Sequence, residues 1–393
     1  MRYLAVLGRQ PEISKAELSA LLPEIRFFGG SGAVRFEVPE KISFNFNRLG
    51  GTLKLAEKVE GRVIDFLAGL PEGKITLGVS DYSKGASRKT TSLEALRLKK
   101  ILVRHGRSVR VVEQKQAELS TATSLHNGLS GSNPKKVELL KFNDEWYRVV
   151  FVQDIDAYSR RDQARPARDA FVGMLPPKLA QILINLCGDL PEGSRVLDSF
   201  CGTGVVLQEA ILMGYQAYGT DLSERMVEYS ERNLKWLCSD LEKKTALKKK
   251  NNGDLEKSVV KNTTEFAATW KVEAGDATDF KWNGEIDAVA CEGYLGRPMS
   301  LPPAEIKLKA EKQECGVIIR GFLKNLAGQI KSGTPVVLAA PAWLRENGEY
   351  SRLNILDETL EAWYNIGNKS REGLLYHREG QVVARDIIIL RKK

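Results

Sequence analysis

One run of residues constrains the fold more than any other feature, because in it a short apolar strand ends in an acid and a glycine-rich turn follows. The run is VLDSFCGTG at residues 196–204, and a helical pattern begins directly after it. Its two glycines let the backbone pass close to a ligand, since no Cβ atom obstructs the approach. N–H groups at the start of the helix can hold a polar or anionic group. The run therefore predicts the first strand and the ligand-binding turn of an α/β domain.

Strand and helix patterns alternate from Gly193 towards the end of the chain. Strands are predicted in SRVLD, YQAYGTD, TWKVEAGDATDF, EIDAVACEGYLG and TPVVLAAPAW, and helices in GVVLQEAILMG, SERMVEYSERNLKWL and residues 303–330. Repeated strand-helix units form a doubly wound, mostly parallel sheet, which binds ligands at the carboxyl ends of its strands. The segment GLLYHREGQVVARDIIIL predicts an antiparallel hairpin that turns at residues 378–380. The basic stretch 239–262 predicts an exposed insertion in this α/β domain.

The first 160 residues follow a different pattern, which predicts two small α+β modules. In residues 1–56 the strand-like runs Tyr3–Leu7 and GAVRFEV alternate with the helical patterns EISKAELSALL, capped by Ser14, and FNFNRLGGTLKLAEKV. In residues 57–160 strands are predicted in KITLGVSDY, SVRVVE and VELLKFNDEWYRVVFVQDI, with the basic amphipathic helix SLEALRLKKILVRHG between the first two. Residues 161–188 predict a linker that ends in the proline-initiated helix PPKLAQILINLCG.

The excess of positive charge favours an anionic partner. The formal net charge is +9, and nucleic acid is the first candidate. Lysine and arginine are dense in residues 84–110. The candidate RNA contacts in this stretch are Arg88, Lys89, Arg97, Lys100, Arg104 and Arg107. A solvated helix face explains the same pattern equally well.

Composition also excludes several classes of protein. The five cysteines form no C-x-x-C pair and the three histidines are widely spaced, so we expect no disulfide framework and no metal site. The chain has no signal-peptide pattern and no apolar run of about 18 residues, so we expect no membrane span. These features predict a cytoplasmic protein, which we expect to be a monomer.

Two strand-end acids indicate what the glycine-rich turn binds. Asp198 can accept hydrogen bonds from a cationic amine, and Asp221, at the end of the next strand, occupies the position that contacts ribose hydroxyls in doubly wound folds. A third glycine after Gly202-x-Gly204 is missing, which disfavours a nicotinamide dinucleotide, and no P-loop pattern is present, which disfavours an ATPase.

The run D-x-F-x-G-x-G resembles the S-adenosylmethionine loop of class I amino-methyltransferases, and further segments extend the likeness. The segments RDQARPARDAFVGMLPPKLAQILINL, YLAVLGRQPEISKAELSALL, LGGTLKLAEKV, LSTATSLHN and the C-terminal hairpin are similar to archaeal-type tRNA guanosine N2-methyltransferases that carry a THUMP RNA-binding domain. The resemblance implies a ferredoxin-like domain in residues 1–56, a THUMP domain in 57–160, a linker in 161–188 and a Rossmann-like methyltransferase domain in 189–393. It implies S-adenosylmethionine as cofactor, tRNA as partner and methyl transfer to guanosine N2 at position ten.

The resemblance also implies the cofactor contacts. It places the cofactor against Asp198, Phe200, Gly202, Thr203 and Gly204, its ribose on Asp221 and its adenine beside Asp276 and Ala277. Asp276 has an alternative role as a turn-forming acid. The linker residues that match the family are Arg165, Pro166, Arg168, Asp169, Pro176 and Lys178. These residues either wall the cofactor cleft or serve as scaffolding between domains.

The catalytic motif departs from the family pattern, D/N-P-P-Y/F. In the family the acid or amide accepts hydrogen bonds from the exocyclic amine and the aromatic ring stacks on the extruded base. This chain has ACEGYLG at residues 290–296, in which Tyr294 keeps the aromatic place, Cys291 falls at the acid and both prolines are absent. We expect Glu292 to supply the carboxylate and Tyr294 to contact the base.

Three points stay open at this level. A loop kept only for shape would leave a non-catalytic RNA-binding protein with a degenerate methyltransferase domain. A DNA amino-methyltransferase shares the chemistry but does not explain the N-terminal 160 residues. Pro341 and Trp343 either edge the base pocket or pack in the core.

Overall fold

Two sheets, one in each half of the chain, organise the structure. The computed structural model describes residues 1–22, 24–30, 32–169, 174–251, 269–355, 357–368 and 373–393. The chain divides into two units, Met1–Tyr158 and Ser159–Lys393, and each unit contains one of the sheets.

The sheet of the first unit has eight strands among the described residues. They are β1 (Arg2–Leu7), β2 (Arg26–Phe28), β3 (Ala33–Glu37), β4 (Thr52–Lys58), β5 (Ile75–Asp81), β6 (Val109–Val111), β7 (Lys136–Phe142) and β8 (Glu145–Val152). Their order is β2-β3-β1-β4-β8-β7-β5-β6, and β5 is parallel to both of its neighbours. Because β4 pairs with β8, both predicted N-terminal modules share one sheet. Their assignment as ferredoxin-like and THUMP domains stays a prediction.

Short helices connect these strands. They are α1 (Pro11–Leu21), α2 (Val63–Ala68), α3 (Arg88–Arg104), α4 (Thr121–His126) and α5 (Ile155–Gln163), which contains the division between the units. Helix α3 buries Thr91, Ala95, Leu98 and Leu102, which recur at the three- and four-residue spacing of one helix face. The amphipathic helix predicted here is therefore confirmed.

Two local predictions in the first 59 residues are wrong. Ser14 does not cap α1, because the helix already begins at Pro11 and the Ser14 hydroxyl donates to the Gly51 carbonyl at 2.8 Å. The predicted helix in 44–59 is instead a single 3₁₀ turn followed by strand β4. The two glycines at 50–51 interrupt the helical pattern, and β4 pairs with β1 on one side and β8 on the other. Sheet pairing here overrides helix propensity.

The second unit contains a nine-stranded mixed sheet in its described residues. The strands are β9 (Arg195–Asp198), β10 (Gln216–Asp221), β11 (Trp270–Ala274), β12 (Ala288–Glu292), β13 (Pro335–Leu344), β14 (Tyr350–Arg352), β15 (Tyr364–Ile366), β16 (Leu375–Tyr376) and β17 (Val383–Lys392). The main order is β11-β10-β9-β12-β13-β17-β15, in which β11 to β13 are parallel and β17 is antiparallel to β13 and β15. This confirms the predicted α/β fold, with a mostly parallel sheet and an antiparallel C-terminal part.

Five helices accompany this sheet among the described residues. They are α6 (Pro177–Leu186), α7 (Val205–Leu212), α8 (Glu224–Asn251), α9 (Glu305–Ala327) and α10 (Glu358–Trp363). The first part of the predicted exposed insertion over 239–262 is helical, because α8 continues to Asn251. Leucine, glutamate, alanine and lysine dominate that part, and all four are good helix formers. The rest of the insertion, 252–262, lies outside the described residues.

Within the described parts of the chain, none of the helices combines the length and the apolar character that a membrane crossing requires. The same residues bring together no group of three or more His, Cys, Asp or Glu side chains suited to a metal ion.

Candidate functional site

A cavity of ≈ 970 Å³ opens at the carboxyl ends of β9, β10 and β12 in the second unit. The strand order reverses between β9 and β12, and doubly wound sheets bind ligands at such a reversal. The lining contains both predicted catalytic residues and, apart from Gly204, all predicted cofactor residues: Asp198, Phe200, Gly202, Thr203, Asp221, Asp276 and Ala277. The structure therefore brings these predicted residues together at one cavity, and their roles stay predictions.

Helix α8 holds the glycine-rich turn in place. Gly202 and Gly204 both have a positive φ, +50° and +78°, which a side chain would strain. A Cβ atom on Gly204 would lie 2.9 Å from the Ser230 Oγ and 3.2 Å from the Ser230 Cα, so Gly204 lets the turn pack against α8. The Ser230 hydroxyl donates to the Gly202 carbonyl at 2.8 Å, and the Asn233 amide donates to the Thr203 carbonyl at 2.9 Å. Packing against α8 and these hydrogen bonds therefore hold the turn in one conformation.

Asp198 carries a carboxylate that is only 2% exposed. It accepts the Phe200 N–H at 3.2 Å, and among the described residues no Lys, Arg or His forms an ion pair with it. Burial raises the pKa of Asp198 well above its ordinary value, and the nearby charges of Asp221 and Glu292 raise it further. A cationic group bound in the cavity would offset this accumulation of negative charge.

Asp221 connects the glycine-rich turn after β9 to the turn that follows β10. Its Oδ2 accepts the Gly202 N–H at 2.9 Å and its Oδ1 accepts the Ser223 N–H at 3.0 Å. Burial raises the pKa of this carboxyl group. Each carboxylate oxygen can accept a second hydrogen bond, which suits a pair of ligand hydroxyls. Leu222, which the sequence prediction missed, lines the cavity and is 75% exposed, so it offers an apolar surface next to the acid.

Asp276 has the turn-forming role that was considered as its alternative. Its Oδ1 accepts the Thr278 N–H at 2.9 Å and the Thr278 hydroxyl at 2.8 Å. Ala277, buried beside it, also lines the cavity. The Gly275 N–H donates to the Asp221 carbonyl at 2.9 Å, so the two turns are connected. Asp276 therefore shapes the wall of the cavity, and its contact with the adenine stays a prediction.

Glu292 is the acid that the fourth parallel strand brings to the cavity. It is the last residue of β12, and its Oε1 accepts the Arg385 Nε–H at 2.7 Å. Cys291 points to the other face of β12, because successive side chains on a strand alternate, and its side chain is fully buried in the core. Burial raises the pKa of the Cys291 thiol well above its ordinary value. Cys291 therefore does not take the place of the missing acid.

The loop after Glu292 is fixed by close packing. The Gly293 N–H donates to the Ala339 carbonyl at 3.0 Å, and a Cβ atom on Gly293 would lie 2.9 Å from Leu338 Cδ1. On Gly296, where φ is +78°, a Cβ atom would lie 2.6 Å from Glu311 Oε2. The loop is therefore held in place by these contacts, although it lacks the two prolines of the family motif.

Tyr294 lies in this loop and lines the cavity. Its hydroxyl donates to Glu314 Oε1 at 3.1 Å. Burial and this hydrogen bond raise the pKa of Tyr294 to about 12, so the phenol is neutral at physiological pH. Glu314, a further carboxylate in the lining, was not predicted from the sequence.

For most of the residues with two open interpretations, the structure favours the one that does not place them in the cleft wall. Of the six linker residues only Asp169 lines the cavity, where it pairs with Arg225 at 2.5 Å. The other five do not line it: Arg165, Pro166, Arg168, Pro176 and Lys178. Burial lowers the pKa of Arg165 and of Lys178, as expected for cations packed inside the fold. Trp343 is fully buried in the core, and Pro341 does not line the cavity either.

The predicted RNA contacts lie in the first unit. Five of them are exposed along α3: Arg88, Lys89, Arg97, Lys100 and Arg104. The Arg107 guanidinium donates to the carbonyls of Ala68, Leu70 and Pro71 at 2.7 to 2.9 Å, so it also has a structural role, and its RNA contact stays a prediction. A groove of ≈ 620 Å³ is lined by α3 and β6, and it adds the cations Lys74, Lys99 and Arg110.

Comparison with known families defines the class of the second unit. Residues 165–314 match a family described as an RMKL-like methyltransferase domain, and this range includes both the glycine-rich turn and the Glu292 loop. Residues 88–232 match a family described as DNA methylase, and this range ends before the Glu292 loop. Fold, cavity and family match agree on a methyltransferase-type α/β domain.

Individual relatives are more specific. The chain is 29% identical over 208 residues to the tRNA (guanine(10)-N2)-dimethyltransferase of Methanothermobacter thermautotrophicus. This alignment covers 50% of this chain and 51% of that protein. It is 45% identical over 62 residues to the enzyme of the same name from Pyrococcus abyssi, 16% of this chain and 18% of that protein. The alignments thus span about half the length of the first relative and less of the second. TrmN from Thermus thermophilus aligns over 100% of both chains with 18% identity and a TM-score of 0.46. The curated relatives confirm the family resemblance found in the sequence.

Proposed function

We propose that this protein is an S-adenosylmethionine-dependent tRNA methyltransferase that acts on the exocyclic N2 of a guanosine, at position ten as in the curated relatives. One observation carries the proposal: a single cavity at the reversal of the sheet holds the strand-end acids Asp198, Asp221 and Glu292. The first two suit the cofactor, and the third suits an amine substrate. Cytoplasmic location and a monomeric state remain predictions.

The residues at the β9 and β10 ends fit S-adenosylmethionine by their chemistry. Asp198 suits the cofactor's ammonium group, because it is a buried carboxylate to which the described residues offer no cationic partner. Asp221 has two carboxylate oxygens for the ribose hydroxyls, and Leu222 and Ala277 supply apolar surface for the adenine. The bound cofactor supplies a methyl group on a sulfonium, which is already an activated leaving group. The chain's own task is then to hold and polarise the accepting amine.

Glu292 performs this task in the proposed reaction. The N2 amine of guanine is a poor nucleophile, since its lone pair is delocalised into the ring. A carboxylate that accepts a hydrogen bond from this amine orients the lone pair and stabilises the positive charge that develops on nitrogen. When the new N–C bond has formed, the nitrogen loses one proton, and the Glu292 carboxylate is the base positioned to accept it. Tyr294 supplies a ring in the same cavity for contact with the base.

The function is tested by mass spectrometry of nucleosides. A tRNA transcript incubated with the protein and isotopically labelled S-adenosylmethionine is digested, and the nucleosides are analysed. We expect labelled N2-methylguanosine or N2,N2-dimethylguanosine from the transcript, and none from a transcript with adenosine at position ten. Cofactor binding by calorimetry without transfer to any tRNA would support a non-catalytic RNA-binding protein instead. Transfer to duplex DNA alone would support the DNA methyltransferase alternative.

The proposed tRNA contact is the exposed basic face of α3. Changing Arg97, Lys100 and Arg104 together to alanine should weaken tRNA binding by about 10- to 100-fold and lower the slope of log affinity against log salt by about 2 to 3, since each side chain releases roughly one counterion. Filter binding over a salt series measures both values. Lys41→Ala, at an exposed lysine of the same unit, is the control. Equal effects of the triple change and the control would exclude α3 as the RNA contact.

A further inference from the structure

Arg385 forms an ion pair with the proposed catalytic acid. Its Nε donates to Glu292 Oε1 at 2.7 Å, and the two side chains are only 6% and 15% exposed. The Arg385 residue lies on β17, whereas Glu292 ends β12. Neither sequence pattern nor family motif pointed to Arg385.

The register of the sheet explains how the two side chains meet. Glu292 is paired with Ala339 on β13, and Pro341, two residues further along β13, is paired with Arg385. Paired residues lie on the same face of a sheet, as do residues two apart on one strand. The four residues therefore share a face, and the short side chains of Ala339 and Pro341 leave room for Arg385 to extend across β13 to the acid.

This pair divides the two oxygens of the carboxylate between two tasks. Arg385 engages Oε1, and Glu292 lines the cavity, which leaves Oε2 available for a bound amine. Arg385 from β17 forms the ion pair with Glu292, and the carboxylate of Asp198 from β9 is a charged neighbour of Glu292. Arg385 is the ion-pair partner of Glu292 among the described residues, so without it the Glu292 side chain would be free to turn between rotamers.

We propose that Arg385 is a positioning residue for methyl transfer, which holds the Glu292 carboxylate in one orientation towards the amine. The inference rests on the proposed function, because it assigns Arg385 a role in that reaction. A role of this kind is exerted only through Glu292. It therefore predicts that Arg385 becomes unimportant for turnover once Glu292 has lost its carboxylate.

A double-mutant cycle with Arg385→Met and Glu292→Gln tests this. We expect Arg385→Met to lower kcat by about 10- to 50-fold, with the cofactor Kd changed less than about twofold and Arg385→Lys intermediate. In the Glu292→Gln background the same change should lower kcat by less than about twofold. Equal factors in both backgrounds would show a merely structural role, and an unchanged kcat in Arg385→Met would also overturn the proposal.

Thermal unfolding of the same four proteins supplies a readout that needs no activity. Arg385→Met leaves a mostly buried carboxylate without its partner, so its Tm should fall, and adding Glu292→Gln should restore part of the loss. If the wild type transfers no methyl group to any substrate, the proposed function fails. The unfolding cycle then still decides whether Arg385 holds the Glu292 side chain, and additive Tm changes would refute that contact.

Discussion

Changing Glu292 to glutamine is expected to lower the rate of methyl transfer by about 10²- to 10³-fold, the range found when one catalytic base or transition-state contact is removed. Glutamine keeps the size of the side chain and an oxygen for Arg385, but it carries no negative charge. Its amide oxygen can still accept a hydrogen bond from the amine, but it stabilises the positive charge less than a carboxylate does and does not accept the proton. Single-turnover transfer from labelled cofactor to tRNA measures the rate, and calorimetry should show cofactor binding changed less than about twofold.

Glu314→Gln is the matched control, because Glu314 is another glutamate in the lining of the same cavity. Its Oε1 accepts the Tyr294 hydroxyl, a contact that the glutamine oxygen preserves. We expect less than about a 10-fold loss of rate in this variant, because a neutral hydrogen bond contributes only about 1 kcal/mol. A Glu292→Gln protein with the wild-type rate, or with the same loss as Glu314→Gln, would exclude Glu292 as the catalytic acid.

The cofactor side of the cavity was predictable because its signals are local. The pattern of hydrophobic residues shows where β9 and β10 end. The two acids and the two glycines all lie close to these strand ends. Because the strands are parallel, their carboxyl ends meet at one edge of the sheet, and this holds for any sequence that forms such a sheet. Gly204 shows the limit of this reasoning, since its close contact is with Ser230 of α8 and not with the cavity.

The substrate side was less predictable because it depends on contacts between distant strands. Comparison with the family motif placed Cys291 at the acid, whereas alternation along β12 turns Cys291 into the core and Glu292 into the cavity. Arg385 is 93 residues from Glu292 in sequence, and only the register of β13 with β12 and β17 brings them together. The helix predicted over 44–59 was wrong for the same reason, because β4 is stabilised by pairing with β1 and β8, which are distant in sequence.

Asp221→Ala is expected to raise the Kd for S-adenosylmethionine by about 100-fold. The carboxylate accepts the Gly202 and Ser223 N–H groups and offers its remaining lone pairs to the ribose hydroxyls. Each hydrogen bond to a charged group is worth about 1.5–3 kcal/mol, so the loss of two ligand contacts accounts for this factor. Asp221→Asn keeps one carbonyl oxygen, so an intermediate loss of about 10-fold is expected. Calorimetry with the cofactor measures both values.

Stability of the ligand-free protein distinguishes lost binding from lost folding. Burial raises the pKa of Asp221 above the value in the unfolded chain, so the folded protein binds this proton more tightly. The wild type therefore loses stability as pH rises above about 4, where the unfolded carboxyl ionises first. Asp221→Asn removes this penalty but takes the acceptor away from either the Gly202 or the Ser223 N–H, so the two effects oppose each other and its ligand-free Tm at pH 7 should lie close to that of the wild type. Asp279→Asn makes the same charge change at an exposed acid outside the cavity, and it should leave the Kd unchanged. If Asp221→Ala binds the cofactor as tightly as Asp279→Asn does, the ribose is held elsewhere.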